Sequence, residues 1–150
     1  MTKMLIVAHT PLASALKAVA AHAFPDSVSS IEALDVPPSW NEQQVAAAAR
    51  ALMAQRPGTD TLVLTDAFGA TPGKGSALLA DSPGVRVVVG VNVPMVWRSV
   101  CYGLDAPLDT LAARALAGAT QGVMPIGPQR PQNQPSRPAS DDQADRHDQQ

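Results

Sequence analysis

The sequence is poor in cysteine, aromatic residues and net charge. Its 150 residues include one cysteine, Cys101, aromatic residues make up 3% of the chain, and the formal net charge is -2. Because a single cysteine cannot form an internal disulfide, we expect a reducing, cytoplasmic environment. The small net charge gives no electrostatic reason to expect nucleic acid or an acidic membrane surface as a partner.

Long apolar runs and common cofactor motifs are also missing from the sequence. The apolar run after Met1-Thr2-Lys3 is too short for a signal-peptide core, and no run is long enough to span a bilayer. Neither a G-x-G-x-x-G motif after the first strand nor a Walker A motif occurs, so the usual phosphate cradles of nucleotide-binding domains are missing. We also find no metal-ligand spacing, and therefore expect neither a metal ion nor a cofactor.

The composition of the chain changes near residue 128. Hydrophobic residues make up 45% of the chain, which is long enough for one domain with a core. The segment 128–150 has four prolines, many Gln and Asp residues and only two alanines as apolar material. We therefore predict a domain over 1–127 and a disordered tail over 128–150, with His147 inert. A solubilising tail is favoured over a linker to a further domain.

Apolar runs alternate with helical patterns along the domain. Four runs predict buried strands: 4–8, 28–34, 61–65 and 85–91. Helices are predicted in between and after them: 11–23, 41–55 with Asn41 as N-cap, one that follows the segment 68–73 and ends near residue 81, one from 94 onward, and 108–120. The alternation predicts an α/β fold with an open, doubly wound, mainly parallel sheet of order about 2-1-3-4 and helices on both faces. The valine-rich fourth run predicts a strand buried on both faces. Residues 122–126 suggest a short antiparallel edge strand.

Polar side chains follow three of the predicted strands. His9 comes directly after the first strand, Asp66 after the third and Asn92 after the fourth. In the order 2-1-3-4 the first and third strands are neighbours at the switch point, so His9 and Asp66 are expected to face each other. The carboxylate can then hold one ring nitrogen while the other stays free to react. Asp35, after the second strand, is expected at the outer edge.

Three segments carry a resemblance to a known family: MLIVAHT, TDAFGATPGKGSA and GVNVPMV. The pattern D-x-F-G-[GA]-[ST]-P after a buried strand, followed by G-V-N-x-P-M, is similar to the mannose-type IIA component of the phosphoenolpyruvate-dependent sugar phosphotransferase system. The resemblance covers about residues 1–127. It implies a phosphotransferase component that accepts a phosphoryl group on a histidine from the phosphocarrier protein HPr and passes it to a IIB component or a regulatory target. It also implies a homodimer.

The resemblance assigns roles to individual residues. It makes His9 the phosphorylated residue and Asp66 its orienting carboxylate, with Thr71 beside the phosphoryl group and Asn92 lining the same pocket. Thr10 stands where the family commonly has glycine, and backbone amides near Thr10, or in the loop 69–73, are expected to receive phosphate oxygens.

Simpler structural roles compete with these assignments. A strand-end histidine such as His9 is often only a polar edge residue, and Asp66 can cap the next helix. Thr71 can form a local turn, and Asn92 can secure the turn before Pro94. For Lys74, a solvated side chain competes with a phosphate contact.

For other side chains the structural roles are the expected ones. We expect His22 on the surface and Cys101 as a small buried hydrophobe. Met95 and Trp97 are expected in the core rather than on a docking surface.

Two functions of different classes remain. The favoured one is a phosphohistidine carrier, either in sugar transport or as a regulatory or dihydroxyacetone-kinase-linked donor; the absence of an attached IIB or IIC domain favours the regulatory variant. The alternative is a non-catalytic module of flavodoxin-like shape that binds a small ligand or nucleotide. The missing phosphate-binding motifs weigh against this alternative.

Overall fold

A computed structural model of the chain describes residues 1–128. The described chain forms, in order, β1 (Lys3–His9), α1 (Leu12–Ala23), a 3-10 helix (Pro25–Ser30), β2 (Ile31–Val36), α2 (Glu42–Ala54), β3 (Thr61–Thr65), α3 (Thr71–Ala77), β4 (Val85–Val89), α4 (Val93–Cys101) and α5 (Leu108–Gln121). Apart from Pro128, the predicted tail lies outside the described residues. No helix within residues 1–128 is long and apolar enough to cross a membrane.

The four strands form one parallel sheet in the order β2-β1-β3-β4. This confirms the predicted open α/β architecture and its strand order. β1 and β3 are neighbours, and Val7 pairs in register with Thr65. The register brings the residues just beyond these two positions to one edge of the sheet, where the carboxyl ends of parallel strands meet.

Helices cover both faces of the sheet, as the alternation of side chains along a strand requires. On one face Met4 and Ile6 pack with side chains from α1, α4 and α5, including the fully buried Met95. On the other face Leu5 and Val7 pack with side chains from α2 and with Leu79. The sheet is thus the middle layer of three. Met95 occupies the core position predicted for it.

Both outer strands differ from their predicted form. β2 begins at Ile31 rather than at residue 28, because the preceding residues form the 3-10 helix with Pro25 at its start. β4 ends at Val89, and its last three residues are only half-buried. The prediction that this strand is buried on both faces is wrong, because β4 is an edge strand that pairs only with β3.

Two further boundaries need correction, and one cap is confirmed. The third helix ends at Ala77 rather than at residue 81, because the chain turns through hydrogen bonds such as that from Ala80 N–H to the Ala77 carbonyl. The predicted edge strand over 122–126 is wrong: these residues form no strand, and Pro125 has no N–H for a sheet ladder. Asn41 caps α2 as predicted, since its side chain accepts from Gln44 N–H at 2.9 Å.

Candidate functional site

His9 and Asp66 meet at the carboxyl edge of the sheet. The ring Nδ1 of His9 lies 2.6 Å from Asp66 Oδ2, and the backbone N–H of His9 donates to the same oxygen at 2.9 Å. The other carboxylate oxygen accepts from Ala67 N–H at 2.7 Å. The His9 side chain is 54% exposed, whereas that of Asp66 is 11% exposed. Among residues 1–128, Nε2 of His9 has no hydrogen-bond partner, and it belongs to a side chain that is more than half exposed.

The hydrogen bonds to Asp66 determine its charge. Partial burial opposes ionisation of this carboxyl and on its own would raise its pKa. The hydrogen bonds from His9 N–H, the His9 ring and Ala67 N–H together outweigh that effect and hold the pKa of Asp66 below its ordinary value. Asp66 is therefore ionised at neutral pH and accepts a hydrogen bond from the Nδ1–H group of His9. In a neutral imidazole this leaves the lone pair on Nε2.

Asp35 lies on the outer strand β2, as expected, and has a capping role that the sequence analysis did not predict. In the sheet Asp35 pairs in register with Ala8 of β1. Its carboxylate accepts hydrogen bonds from Ser14 N–H at 3.0 Å and from the Ser14 hydroxyl. The residue at the N-cap of α1, Pro11, makes no side-chain cap bond. Asp35 thus caps α1 from a neighbouring strand, where a carboxylate also favours the helix dipole. The strand order alone gave a signal, since it brings the end of β2 and the start of α1 to one edge.

Thr10 directly follows His9 in the sequence, and Thr71 lies five residues after Asp66. The backbone N–H of Thr10 donates to the Val36 carbonyl at 3.1 Å, so this amide already has a partner. Thr71 is the first residue of α3 and is half-buried. Its hydroxyl makes no hydrogen bond to another described residue. Neither threonine is hydrogen-bonded to His9 or Asp66.

Asn92 serves the local fold. Its side-chain oxygen accepts from Met95 N–H at 2.9 Å, which caps α4, and its side-chain nitrogen donates to the Ala119 carbonyl at 3.3 Å. These two bonds join the end of β4 to α4 and α5. The amide makes no hydrogen bond to the His9–Asp66 pair, so its expected place in the phosphoryl pocket stays a prediction.

The two glycines around Lys74 have a packing explanation. A Cβ on Gly73 would lie 2.4 Å from the Ala67 carbonyl oxygen, and one on Gly75 would lie 2.5 Å from the Val45 Cβ. The first glycine lets α3 pack under the loop that follows Asp66, and the second lets α3 approach α2. Lys74, between them, is exposed.

Three other side chains can be compared with their predicted positions. His22 is exposed, as predicted. Cys101 is exposed, so its prediction as a buried hydrophobe is wrong, because the buried face of α4 consists of residues 95, 96, 99 and 100. Trp97 is 43% exposed and packs against Phe24 in a T-shaped arrangement of the two rings, so the prediction of core packing is wrong for it.

A groove of about 340 Å³ lies between α4 and α5, and its lining includes Phe24, Trp97, Arg98 and Tyr102. None of the residues at the His9–Asp66 pair belongs to this groove. Within residues 1–128, no group of three or more His, Cys, Asp or Glu side chains is placed to hold a metal ion. The candidate site is an open polar edge of the sheet at which the His9 ring is held through Nδ1 by Asp66.

Comparison with known proteins identifies the family. The family model EIIA-man, described as the PTS system fructose IIA component, matches residues 3–116, a range that includes His9, Asp66, Thr71 and Asn92. The chain belongs to this family. As a member of the EIIA-man family, it is a phosphocarrier component of a sugar phosphotransferase system and, in general kind, a transferase.

Solved structures share the fold. The mannose/sorbose-specific IIA subunit from Enterococcus faecalis is 21% identical with a TM-score of 0.75, over 86% of this chain and 97% of that one. Phosphotransferase system component EIIA from Streptococcus agalactiae is also 21% identical, with a TM-score of 0.73, over 83% and 97%. A PTS IIA protein associated with the fucose utilization operon of Streptococcus pneumoniae is 16% identical with a TM-score of 0.68, over 83% and 96%. No curated protein matches the sequence.

Proposed function

We propose that this EIIA-man protein carries the phosphoryl group on Nε2 of His9. The observation that carries the proposal is the bond between His9 Nδ1 and Asp66 Oδ2, because it fixes the tautomer and leaves Nε2 as the free nucleophile at the surface. Near pH 7 a useful fraction of imidazole groups in general is neutral and therefore nucleophilic. The phosphoramidate that an imidazole forms can pass its phosphoryl group on to another acceptor.

Phosphoryl transfer at this site requires no proton to leave Nδ1. The Nε2 lone pair forms the N–P bond while the bond from phosphorus to the donor's leaving atom breaks and its electron pair stays with the donor. The ring becomes positively charged, and the Asp66 carboxylate stabilises it without taking the proton. Transfer onward reverses these steps on the recipient. The protein's contribution is chiefly positioning and charge stabilisation.

The loop between β3 and α3 is the better source of partners for the phosphoryl oxygens. On the other side of the site, Thr10 N–H is bonded to the Val36 carbonyl and Ser14 N–H to Asp35. The backbone N–H of Gly69 donates to no acceptor within the described residues, and neither does the Thr71 hydroxyl. We therefore assign the phosphoryl contacts to the Gly69 N–H and the Thr71 hydroxyl in preference to Thr10.

We further propose HPr as the phosphoryl donor and a IIB component or a regulatory protein as the recipient, in line with the family. A homodimer is part of the same proposal. Its support is the apolar segment after α5, in which Val123, Met124 and Ile126 are exposed. Clustered apolar side chains of this kind are typical of surfaces that a partner covers.

Phosphorylation by a reconstituted relay tests the proposal. The purified full chain is incubated with phosphoenolpyruvate, enzyme I and HPr, and its intact mass is measured before and after mild acid. We expect an acid-labile gain of one phosphoryl group in the wild type and in His22→Ala, whose exposed histidine lies in the last turn of α1, and no gain in His9→Ala. An unmodified wild type beside phosphorylated HPr would contradict the proposal and favour a ligand-binding module.

A further inference from the structure

Phe68 is an aromatic side chain that the fold does not use. It lies in the loop between β3 and α3, two residues after Asp66, and is 94% exposed. An apolar ring in water is unfavourable and gives no packing in return. The chain contains only five aromatic residues, two Phe, two Trp and one Tyr. An exposed aromatic side chain at the edge of the proposed phosphoryl site is typical of a residue that a partner protein covers on binding.

The loop that carries Phe68 is held in place on both sides. Ala67 N–H donates to Asp66 Oδ1 at 2.7 Å, and Ala70 N–H donates to the Ala67 carbonyl at 3.3 Å. Gly73 packs so closely that a Cβ there would lie 2.4 Å from the same carbonyl oxygen. Gly69 has a positive φ of 81°, which glycine adopts without strain. Phe68 is thus presented on an ordered turn whose first residue binds the site carboxylate.

A protein that transfers its phosphoryl group to His9 has to cover this turn. Its phosphorus atom must come within bonding distance of Nε2, so its surface must lie over the residues around the His9–Asp66 pair. Interfaces between proteins are commonly centred on one or a few aromatic anchors that enter an apolar pocket.

We propose that Phe68 is the apolar anchor for the protein that delivers the phosphoryl group to His9. The partner has an apolar surface patch beside its own phosphorylated residue, and Phe68 inserts into that patch. The inference rests on the proposed function of His9. Because the phenyl ring can neither hydrogen-bond to a phosphoryl oxygen nor exchange a proton, Phe68 acts on the affinity for the donor protein and leaves the chemical step unchanged.

Two phosphoryl donors of different size separate docking from chemistry. The first is phosphorylated HPr over a range of concentrations, and the second is phosphoramidate, a small donor with no docking surface. For Phe68→Ala we expect KM for phosphorylated HPr to rise about tenfold with kcat changed less than about twofold. The rate with phosphoramidate should equal that of the wild type. Phe68→Trp should restore most of the affinity, and Leu116→Ala, which removes another exposed apolar side chain, should match the wild type.

Several results would overturn this role for Phe68. These are an unchanged KM in Phe68→Ala, a fall in kcat alone, or equal losses with both donors, since equal losses mean that the ring supports the site itself. A change of oligomeric state in Phe68→Ala, measured by sedimentation velocity, would assign the ring to a contact between copies of the chain. Failure of the proposed function looks different: the wild type itself would accept no phosphoryl group from either donor.

Discussion

One carboxylate oxygen of Asp66, Oδ2, accepts two hydrogen bonds from His9: from the ring Nδ1–H at 2.6 Å and from the backbone N–H at 2.9 Å. The same contact therefore fixes both the tautomer of the ring and its direction from the end of β1. Asp66 is itself held by Ala67 N–H, so the pair is ordered before any donor arrives. Preorganisation of this kind reduces what must be rearranged during transfer.

Replacing Asp66 with asparagine should slow phosphorylation severely. An amide has no charge to stabilise the positive ring, and its NH₂ group can hold the other tautomer, with Nε2 protonated. We expect a loss on the order of 10²-fold or more in the single-turnover rate for phosphorylated HPr. The control is Asp105→Asn at an exposed position. A rate within twofold of the wild type would mean that Asp66 does not orient His9.

The lowered pKa of Asp66 predicts an acid-sensitive contribution to stability. A carboxyl whose pKa is lower in the folded chain than in the unfolded one stabilises the fold fully above its ordinary pKa, which is 3.8 for this group. That contribution is lost as the pH falls below this value and passes through the folded pKa. The difference in the free energy of unfolding between the wild type and Asp66→Asn should therefore narrow below pH 3.8. Urea unfolding at a series of pH values measures it, and a difference that widens towards acid contradicts the account.

Loss of the Asp35 cap should destabilise the fold. Asp35→Ala removes the acceptor of Ser14 N–H, and we expect a loss of about 1 kcal/mol in the free energy of unfolding, as for other helix caps. Asp81→Ala, at an exposed aspartate, should change it by less than about 0.5 kcal/mol. In a double-mutant cycle, Ser14→Ala should cost less in the Asp35→Ala background than in the wild type. Additive effects would show that the Ser14 hydroxyl contact contributes nothing, and an unchanged free energy of unfolding in Asp35→Ala would show that the cap does not stabilise the fold.

A methyl group at Gly73 should disturb the loop beside the site. The added Cβ would lie 2.4 Å from the Ala67 carbonyl oxygen, so the loop or α3 has to move. We expect Gly73→Ala to lower the free energy of unfolding by about 1–3 kcal/mol, as overpacking does elsewhere. Gly127→Ala is the matched control, because a Cβ there meets nothing within 4 Å. Equal thermal unfolding of the two variants would contradict this packing.

The strand order and the meeting of His9 with Asp66 could be predicted from the sequence. Both follow from short apolar runs that end in polar residues, because parallel strands bring their carboxyl ends to one edge. The Asn41 cap could also be predicted, since its donors and acceptors lie within four residues along the chain. These features depend on local sequence or on topology alone.

Features that depend on the environment of a segment could not be predicted in the same way. The predicted strand order already placed β4 at an edge, but its valine run does not show how far its two faces are covered, and its last three residues are only half-buried. Residues 122–126 have the apolar character of a strand but find no partner strand within the described chain. The bond from Ser14 to Asp35 joins residues 21 positions apart, and neither residue type alone predicts the other.

The atom that carries the phosphoryl group is the most direct test of the account. Uniformly ¹⁵N-labelled protein is phosphorylated by the reconstituted relay, and the nitrogen bonded to phosphorus is identified from the ¹⁵N–³¹P coupling in the His9 ring. The account predicts the N–P bond at Nε2, with Nδ1 still protonated and bonded to Asp66. Phosphate on Nδ1 of His9, or on any other residue, would contradict it.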